Sequence, residues 1–144
     1  NEACSYASPS QIGQMILNVM INASHAMTLM RKDDPEKGGI INLSISPIEV
    51  GENLRSLMPE ATEGKYWMLC ISDTGVGISQ DVKKKIFEPF FTTKEMGTGN
   101  GLGLSMVYNI VRQNHGFIDL FSEEGTGTTF MIFLPDVSES KPKE

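Results

Sequence analysis

Apolar residues recur every three or four positions in the first part of the chain and predict an amphipathic helix over residues 9–31. Its expected buried stripe comprises Ile12, Met15, Ile16, Val19, Met20, Ala23, Met27 and Met30. Ser8 is the expected N-cap, and Gln11, three residues later, completes a capping box. Helical spacing also predicts a helix over residues 102–114 and a short helix over residues 80–87.

Four other segments have the composition of β-strands, and they are residues 40–48, 65–73, 116–123 and 128–135. The first alternates apolar with polar residues. The second is more continuously apolar, which predicts a strand buried on both faces. The segments 51–64 and 88–101 are predicted to be loops, the latter mobile. Together these elements predict an α/β (α+β) two-layer sandwich of sheet and helices.

Length and charge limit the functional classes that need to be considered. The 144 residues suit one domain, expected over residues 1–135, with a charged and disordered tail over 136–144. The formal net charge of −6 disfavours nucleic acid as a partner. No segment has the length and apolarity of a membrane span or signal peptide, so no membrane contact and a cytoplasmic location are expected. Two cysteines are too few for a disulfide framework or a four-cysteine zinc site.

Three polar residues of the first helix are candidates for chemistry. Asn18, Asn22 and His25 lie four and three positions apart and therefore share one face, beside the apolar stripe. Amide oxygens are suitable ligands for Mg²⁺, which is commonly shared with phosphates. The alternative is a polar helix edge whose amides are satisfied by neighbouring groups.

Two glycine-rich segments are candidates for ligand binding. In DTGVGI, residues 73–78, Asp73 ends a predicted strand, and its carboxylate could accept a hydrogen bond from the exocyclic amine of adenine. The alternative is a turn in which Asp73 binds its own backbone. In GTGNGLGLS, residues 97–105, a glycine-rich loop precedes a helix, an arrangement that can bind anions. It lacks the lysine followed by Ser or Thr that defines a P-loop.

The order of these segments identifies a family. The helix LNVMINASHAM, DTGVGI, FEPFFTTK, GTGNGLGLS and a late GTGTTF follow one another as they do in the catalytic, ATP-binding domain of bacterial sensor histidine kinases. The chain resembles this domain over about residues 8–134, and most closely its nitrogen-regulation-type and hybrid members. The resemblance implies the Bergerat fold shared with gyrase, Hsp90 and MutL. That fold has a mixed sheet with helices on one face and a mobile lid over ATP.

The resemblance also implies a role for each matching residue. Asn22 would bind Mg²⁺, Asn18 would polarise the reaction, and His25 would lie near the phosphates. Asp73 would bind the adenine amine, and Thr128 would support it directly or through water. The other expected cofactor-binding residues are Gly75, Gly77, Ile78, Lys94, Gly99, Gly101, Leu102, Gly103 and Leu104. Phenylalanines of FEPFFTTK would anchor the lid, namely Phe87, Phe90 and Phe91.

The implied function is binding of Mg·ATP and transfer of its γ-phosphoryl group to a histidine on a separate dimerisation or phosphotransfer domain, which in turn serves a response regulator. The acceptor motif of that helical domain is missing, since His25 belongs to the asparagine-bearing helix and His115 is expected to cap a helix with its side chain. The chain is therefore expected to be a fragment or stand-alone ATP module that does not phosphorylate itself. Three alternatives remain, namely a gyrase-like ATPase, an anti-sigma-type serine kinase and a nucleotide-sensing module. FEPFFTTK argues against the first two.

Overall fold

One antiparallel sheet and a layer of two long helices form the domain. A computed structural model describes residues 5–34, 36–89, 91 and 103–138. Within these ranges no helix is both long and apolar enough to cross a membrane. The elements are α1 Pro9–Met27, β1 Ile41–Val50, α2 Glu52–Leu57, β2 Gly64–Asp73, α3 Gln80–Lys83, α4 Gly103–Gln113, β3 Phe117–Glu123 and β4 Gly127–Pro135.

The strand order is β1-β2-β4-β3, and the three pairings between described strands are all antiparallel. The expected two-layer sandwich is confirmed, but the expected mixed sheet is wrong for these four strands. The reason is that β3 returns directly into β4 through a tight turn. The strand β4 also pairs antiparallel with β2. It therefore separates β2 from β3, the two strands that run in the same direction. The register aligns Asp73, the last residue of β2, with Ile41 on one side and Thr128 on the other.

The main core lies between the sheet and the helices α1 and α4. Met15 and Val19 of α1 are fully buried there against Ile71 and Ile132 of the sheet. The capping box at the start of α1 is confirmed, because the Ser8 side chain accepts from the Gln11 backbone and the Gln11 side chain accepts from the Ser8 backbone. The helix ends at Met27, four residues earlier than expected.

The opposite face of the sheet is also partly covered, which corrects three expectations. Residues 51–64 are not simply a loop, because they contain α2. This segment packs on a second cluster, to which it contributes Ala61. The other buried members are Val50, Tyr66, Phe117 and Phe133. The β2 strand is therefore buried on both faces only near Tyr66, and its residues 68, 70 and 72 on that outer face are half-buried. Helices consequently lie on both faces, although the long ones share one face.

The end of α4 differs from the expectation for His115. Its backbone is in the left-handed region, with φ of 62°, and its ring meets Tyr6 edge-on at 5.4 Å. The Gly116 N–H donates to the Val111 carbonyl at 2.9 Å and closes the helix. Backbone conformation, not the imidazole, therefore caps this helix. Further along, the Asp136 N–H still donates to the Lys65 carbonyl, and residues 139–144 of the expected tail lie outside the described part.

Candidate nucleotide-binding site

The three polar residues of α1 are half-buried, and Asn18 and Asn22 lie on the side of the helix that faces the start of α4. The Asn22 side-chain nitrogen donates to the Asn18 carbonyl at 2.9 Å, and the Asn18 side-chain nitrogen donates to the Gly103 carbonyl at 3.4 Å. His25 follows in the last turn of α1. Because both amide nitrogens bind backbone carbonyls, both amide oxygens point away from those partners. The polar-edge alternative and the ligand interpretation are thus compatible.

The Asn22 side chain fits a magnesium ion that is shared with a nucleotide. Its oxygen is a hard neutral donor of the kind Mg²⁺ accepts, and the amide is oriented by its hydrogen bond to the helix. Among the described residues no group of three His, Cys, Asp or Glu side chains could hold a metal without other ligands. An ion that takes one protein oxygen and completes its shell with phosphates and water matches this donor set.

Asp73 is the last residue of β2, and the turn that follows it lies beside the end of α1. Its Oδ1 accepts from the Gly75 N–H at 2.8 Å, which is the backbone turn foreseen as the alternative to ligand binding. Burial raises the pKa of this carboxyl above its ordinary value of 3.8, while the backbone N–H groups of Gly75 and Thr128 oppose that rise. The turn uses only part of the carboxylate's accepting capacity, and the remainder is available to a ligand amine.

The glycines of DTGVGI are required by close packing of the turn. A Cβ added at Gly75 would lie 2.7 Å from the Ala26 Cβ, and the neighbouring Val76 N–H donates to the Ala26 carbonyl. Gly77 has φ of 73°, and a Cβ there would lie 2.1 Å from the Glu123 carbonyl oxygen. The turn is therefore packed between the end of α1 and the end of β3. These contacts fix the position of Asp73, which directly precedes the turn.

Ser122 is a residue of the site that sequence reasoning missed. Its hydroxyl accepts from the Ile78 N–H at 2.8 Å and donates to the Gly127 carbonyl at 3.0 Å. It also lies 2.8 Å from the Thr128 hydroxyl. Because Ser122 has one proton and a carbonyl can only accept, Thr128 must donate its own proton to Ser122.

The assignment of these protons excludes one of the two routes expected for Thr128, the direct donation from its hydroxyl to Asp73. The Thr128 side chain is buried, and its hydroxyl proton is used by Ser122. The hydroxyl therefore cannot also donate directly to Asp73. The Thr128 backbone N–H acts on that carboxylate instead, and the hydroxyl oxygen can still accept from a water. Support for Asp73 through such a water stays a prediction.

The segment after α3 packs against the main core through aromatic rings. Phe87 stacks on Tyr108 of α4 with centroids 5.4 Å apart and meets Phe130 of β4 edge-on at 6.4 Å. Phe91 is half-buried. Phe87 therefore fixes the beginning of the segment expected to form the lid.

The remaining expected cofactor-binding residues divide into two groups. Gly103 opens α4, and a Cβ there would approach the Asn22 side-chain nitrogen at 3.7 Å. Leu104 is buried in the main core, so only its backbone is available to a ligand. The other expected cofactor-binding residues lie outside the described part, namely Lys94, Gly99, Gly101 and Leu102, as does the expected lid anchor Phe90.

Comparison with known proteins identifies the family of this fold. Residues 7–138 match the family of histidine kinase-, DNA gyrase B- and HSP90-like ATPases. The chain belongs to this family. It is 47% identical over 131 residues to the sensor kinase CckA of Brucella abortus strain 2308, covering 91% of this chain and 13% of CckA. It is 36% identical over 129 residues to the sensor histidine kinase ZraS of Escherichia coli strain K12, covering 90% of this chain and 22% of ZraS.

A solved structure agrees with these matches. The solved structure of the mycobacterial sensor histidine kinase MprB superposes with a TM-score of 0.67 at 25% identity, covering 92% of this chain and 76% of the chain in that structure. The resemblance to the ATP-binding domain of sensor histidine kinases is thereby confirmed. The chain spans less than a quarter of the length of CckA and ZraS, so it corresponds to one domain of such proteins.

Proposed function

We propose that this domain binds Mg·ATP with the adenine at Asp73 and provides the γ-phosphoryl group to a histidine on a separate dimerisation or phosphotransfer domain. The observation that supports this most is the Asp73 carboxylate. It is partly desolvated and oriented by backbone N–H groups, with accepting capacity left for an exocyclic amine. Desolvation of a charged group is costly unless a partner compensates for it, and an adenine amine would do so.

The phosphates would lie between α1 and the start of α4. The helix α4 begins at Gly103, beside Asn18 and Asn22, and the positive end of its dipole would favour a bound anion. Asn22 would hold Mg²⁺, which when bound neutralises phosphate charge. These local positive contributions would allow a chain with a net charge of −6 to hold a polyanion.

In the proposed reaction an imidazole nitrogen of the acceptor histidine attacks the γ-phosphorus. The bond between that phosphorus and the bridging oxygen breaks, and ADP leaves with the electron pair. Asn18 carries an amide, which cannot act as a general base for water. The site therefore favours transfer to an imidazole, itself a good nucleophile, over hydrolysis, and its contribution is positioning and electrostatic stabilisation.

The partners follow from this reaction. The acceptor histidine would belong to a helical dimerisation or phosphotransfer domain of the same or another chain, and a response regulator would receive the phosphoryl group from that histidine. We place the domain in the cytoplasm, where ATP is available. We propose no direct contact with a membrane or nucleic acid.

A phosphotransfer assay tests the proposal. The domain is incubated with γ-labelled ATP and Mg²⁺, with and without a purified histidine-bearing dimerisation domain from a sensor kinase that this chain resembles. Label is expected on the acceptor histidine only in the mixture, as an acid-labile and base-stable phosphate. Asn22→Ala should abolish the label, whereas Asn109→Ala, at an exposed asparagine of α4, should not. Steady release of phosphate without labelled histidine would favour an ATPase and contradict the proposal.

A further inference from the structure

Arg31 joins three segments of the backbone next to the candidate adenine site. Its Nη2 donates to the Thr74 carbonyl at 2.8 Å. Its Nη1 donates to the Gly38 carbonyl at 2.7 Å and to the Met27 carbonyl at 3.3 Å. One guanidinium therefore connects the end of α1, the segment before β1 and the turn after β2. A planar group with several fixed donors is suited to this, whereas an ammonium is not.

The contact with Thr74 is directly linked to Asp73. The Thr74 carbonyl and the Gly75 N–H belong to the same planar peptide unit, in which oxygen and hydrogen point in opposite directions. Arg31 binds the oxygen of this unit, and the Asp73 carboxylate accepts from its hydrogen at 2.8 Å. A charged donor on the carbonyl also polarises the peptide and strengthens the hydrogen bond on its other side.

The Thr74 side chain attaches the same turn to a second point. Its hydroxyl accepts from the Ile40 N–H at 3.0 Å, just before β1. A Cβ at the neighbouring Gly39 would lie 2.5 Å from this hydroxyl oxygen, so the two segments are in tight contact. Rotation of the Thr74–Gly75 peptide would break the bonds to Arg31 and to Asp73 together. Arg31 thus restricts the rotation that would release the carboxylate.

We infer that Arg31 is a positioning residue for adenine recognition: by fixing the Thr74–Gly75 peptide it holds the Asp73 carboxylate in the orientation that accepts the exocyclic amine. This inference rests on the proposed binding of ATP at Asp73. It does not require Arg31 to touch the nucleotide. Its consequence is specific, because loss of Arg31 should weaken the contribution of the amine and leave the contribution of the phosphates intact.

The test compares two nucleotides on three proteins. Calorimetric titration measures the affinities for ATP and for purine riboside triphosphate, which lacks the 6-amino group, in the presence of Mg²⁺. Wild type should prefer ATP. Arg31→Met, which keeps the aliphatic stem without donors, should reduce this preference about fivefold, equivalent to about 1 kcal/mol. Arg112→Met is the matched control, since this exposed arginine lies on α4 near Glu60, at 3.8 Å, and should keep the wild-type preference.

The outcomes separate this inference from the proposed function. Equal weakening of both nucleotides by Arg31→Met would show a general structural role and overturn the inference. Failure of folded wild type to bind ATP would contradict the proposed function itself. If Arg31→Met does not fold, Arg31→Lys replaces it, because a lysine keeps the charge but cannot span the three carbonyls. Its preference should fall at least twofold, and an unchanged preference would overturn the inference.

Discussion

The hydroxyl of Ser122 offers a sharp test of how the candidate site is assembled. Replacing it in Ser122→Ala leaves three groups without their partner, namely the Ile78 N–H, the Gly127 carbonyl and the Thr128 hydroxyl. Each such hydrogen bond contributes a net of about 1 kcal/mol, and more where the abandoned group stays buried. We therefore expect the free energy of unfolding to fall by about 2–4 kcal/mol. We also expect a loss of ATP affinity, because the backbone of Ile78 and the side chain of Thr128, both near Asp73, lose the hydrogen bonds that hold them in place.

Equilibrium urea unfolding of Ser122→Ala and wild type measures this loss, and titration with ATP measures the affinity. Ser56→Ala is the control, because its hydroxyl makes one hydrogen bond, to the Asn53 carbonyl, on the exposed α2. That variant should change stability by at most about 0.5 kcal/mol. A Ser122→Ala protein within about 0.5 kcal/mol of wild type would refute the three-way arrangement and the proton count for Thr128.

Two further predictions concern the turn that bears Asp73. Gly77→Ala should lower the free energy of unfolding, measured by urea titration, by at least about 2 kcal/mol. The reason is that φ of Gly77 is 73° and the new Cβ would overlap the carbonyl oxygen at the end of β3. The control is Gly13→Ala, which has open space around it in α1 and should raise the free energy of unfolding by up to about 1 kcal/mol. Because burial raises the Asp73 pKa, its neutral form favours folding at low pH, and this contribution is lost as the pH rises from 3.8 through the raised folded value. Unfolding measured across this range should show wild type losing stability relative to Asp73→Asn with rising pH, and a constant difference would contradict the pKa assignment.

The secondary structure could be predicted where the signal is local. The capping box of Ser8 and Gln11 depends on neighbouring residues and was found where expected. Most of the apolar period of α1 is buried as expected, but Met20 is exposed and Met30 lies beyond the helix. The sheet order depends on pairings between distant strands, so the local pattern could not predict it. The mixed sheet that the resemblance implied is not found among the four described strands, which pair antiparallel. The helix α2 was missed because, of its six residues, Leu54 alone packs on the second cluster, which is too little for a periodic pattern.

The candidate site shows the same division. Asp73, Gly75 and Gly77 could be proposed from the sequence because one short motif contains them all. Ser122 and Arg31 were missed, since a serine in a strand or an arginine after a helix gives no local signal. Their partners lie 44 residues away in the case of Ile78 and 43 residues away in the case of Thr74. Only the fold brings these groups together.

The most direct test of the account is calorimetric titration of the domain with a non-hydrolysable ATP analogue, with and without Mg²⁺. Wild type should bind, more tightly with Mg²⁺, and Asp73→Asn should lose at least about tenfold in affinity, equivalent to about 1.4 kcal/mol. Asp136→Asn is the control, because this carboxylate follows β4 at the opposite end of the sheet, and the variant should bind as wild type does. Equal affinity of wild type and Asp73→Asn, with both folded, would contradict the placement of adenine at Asp73.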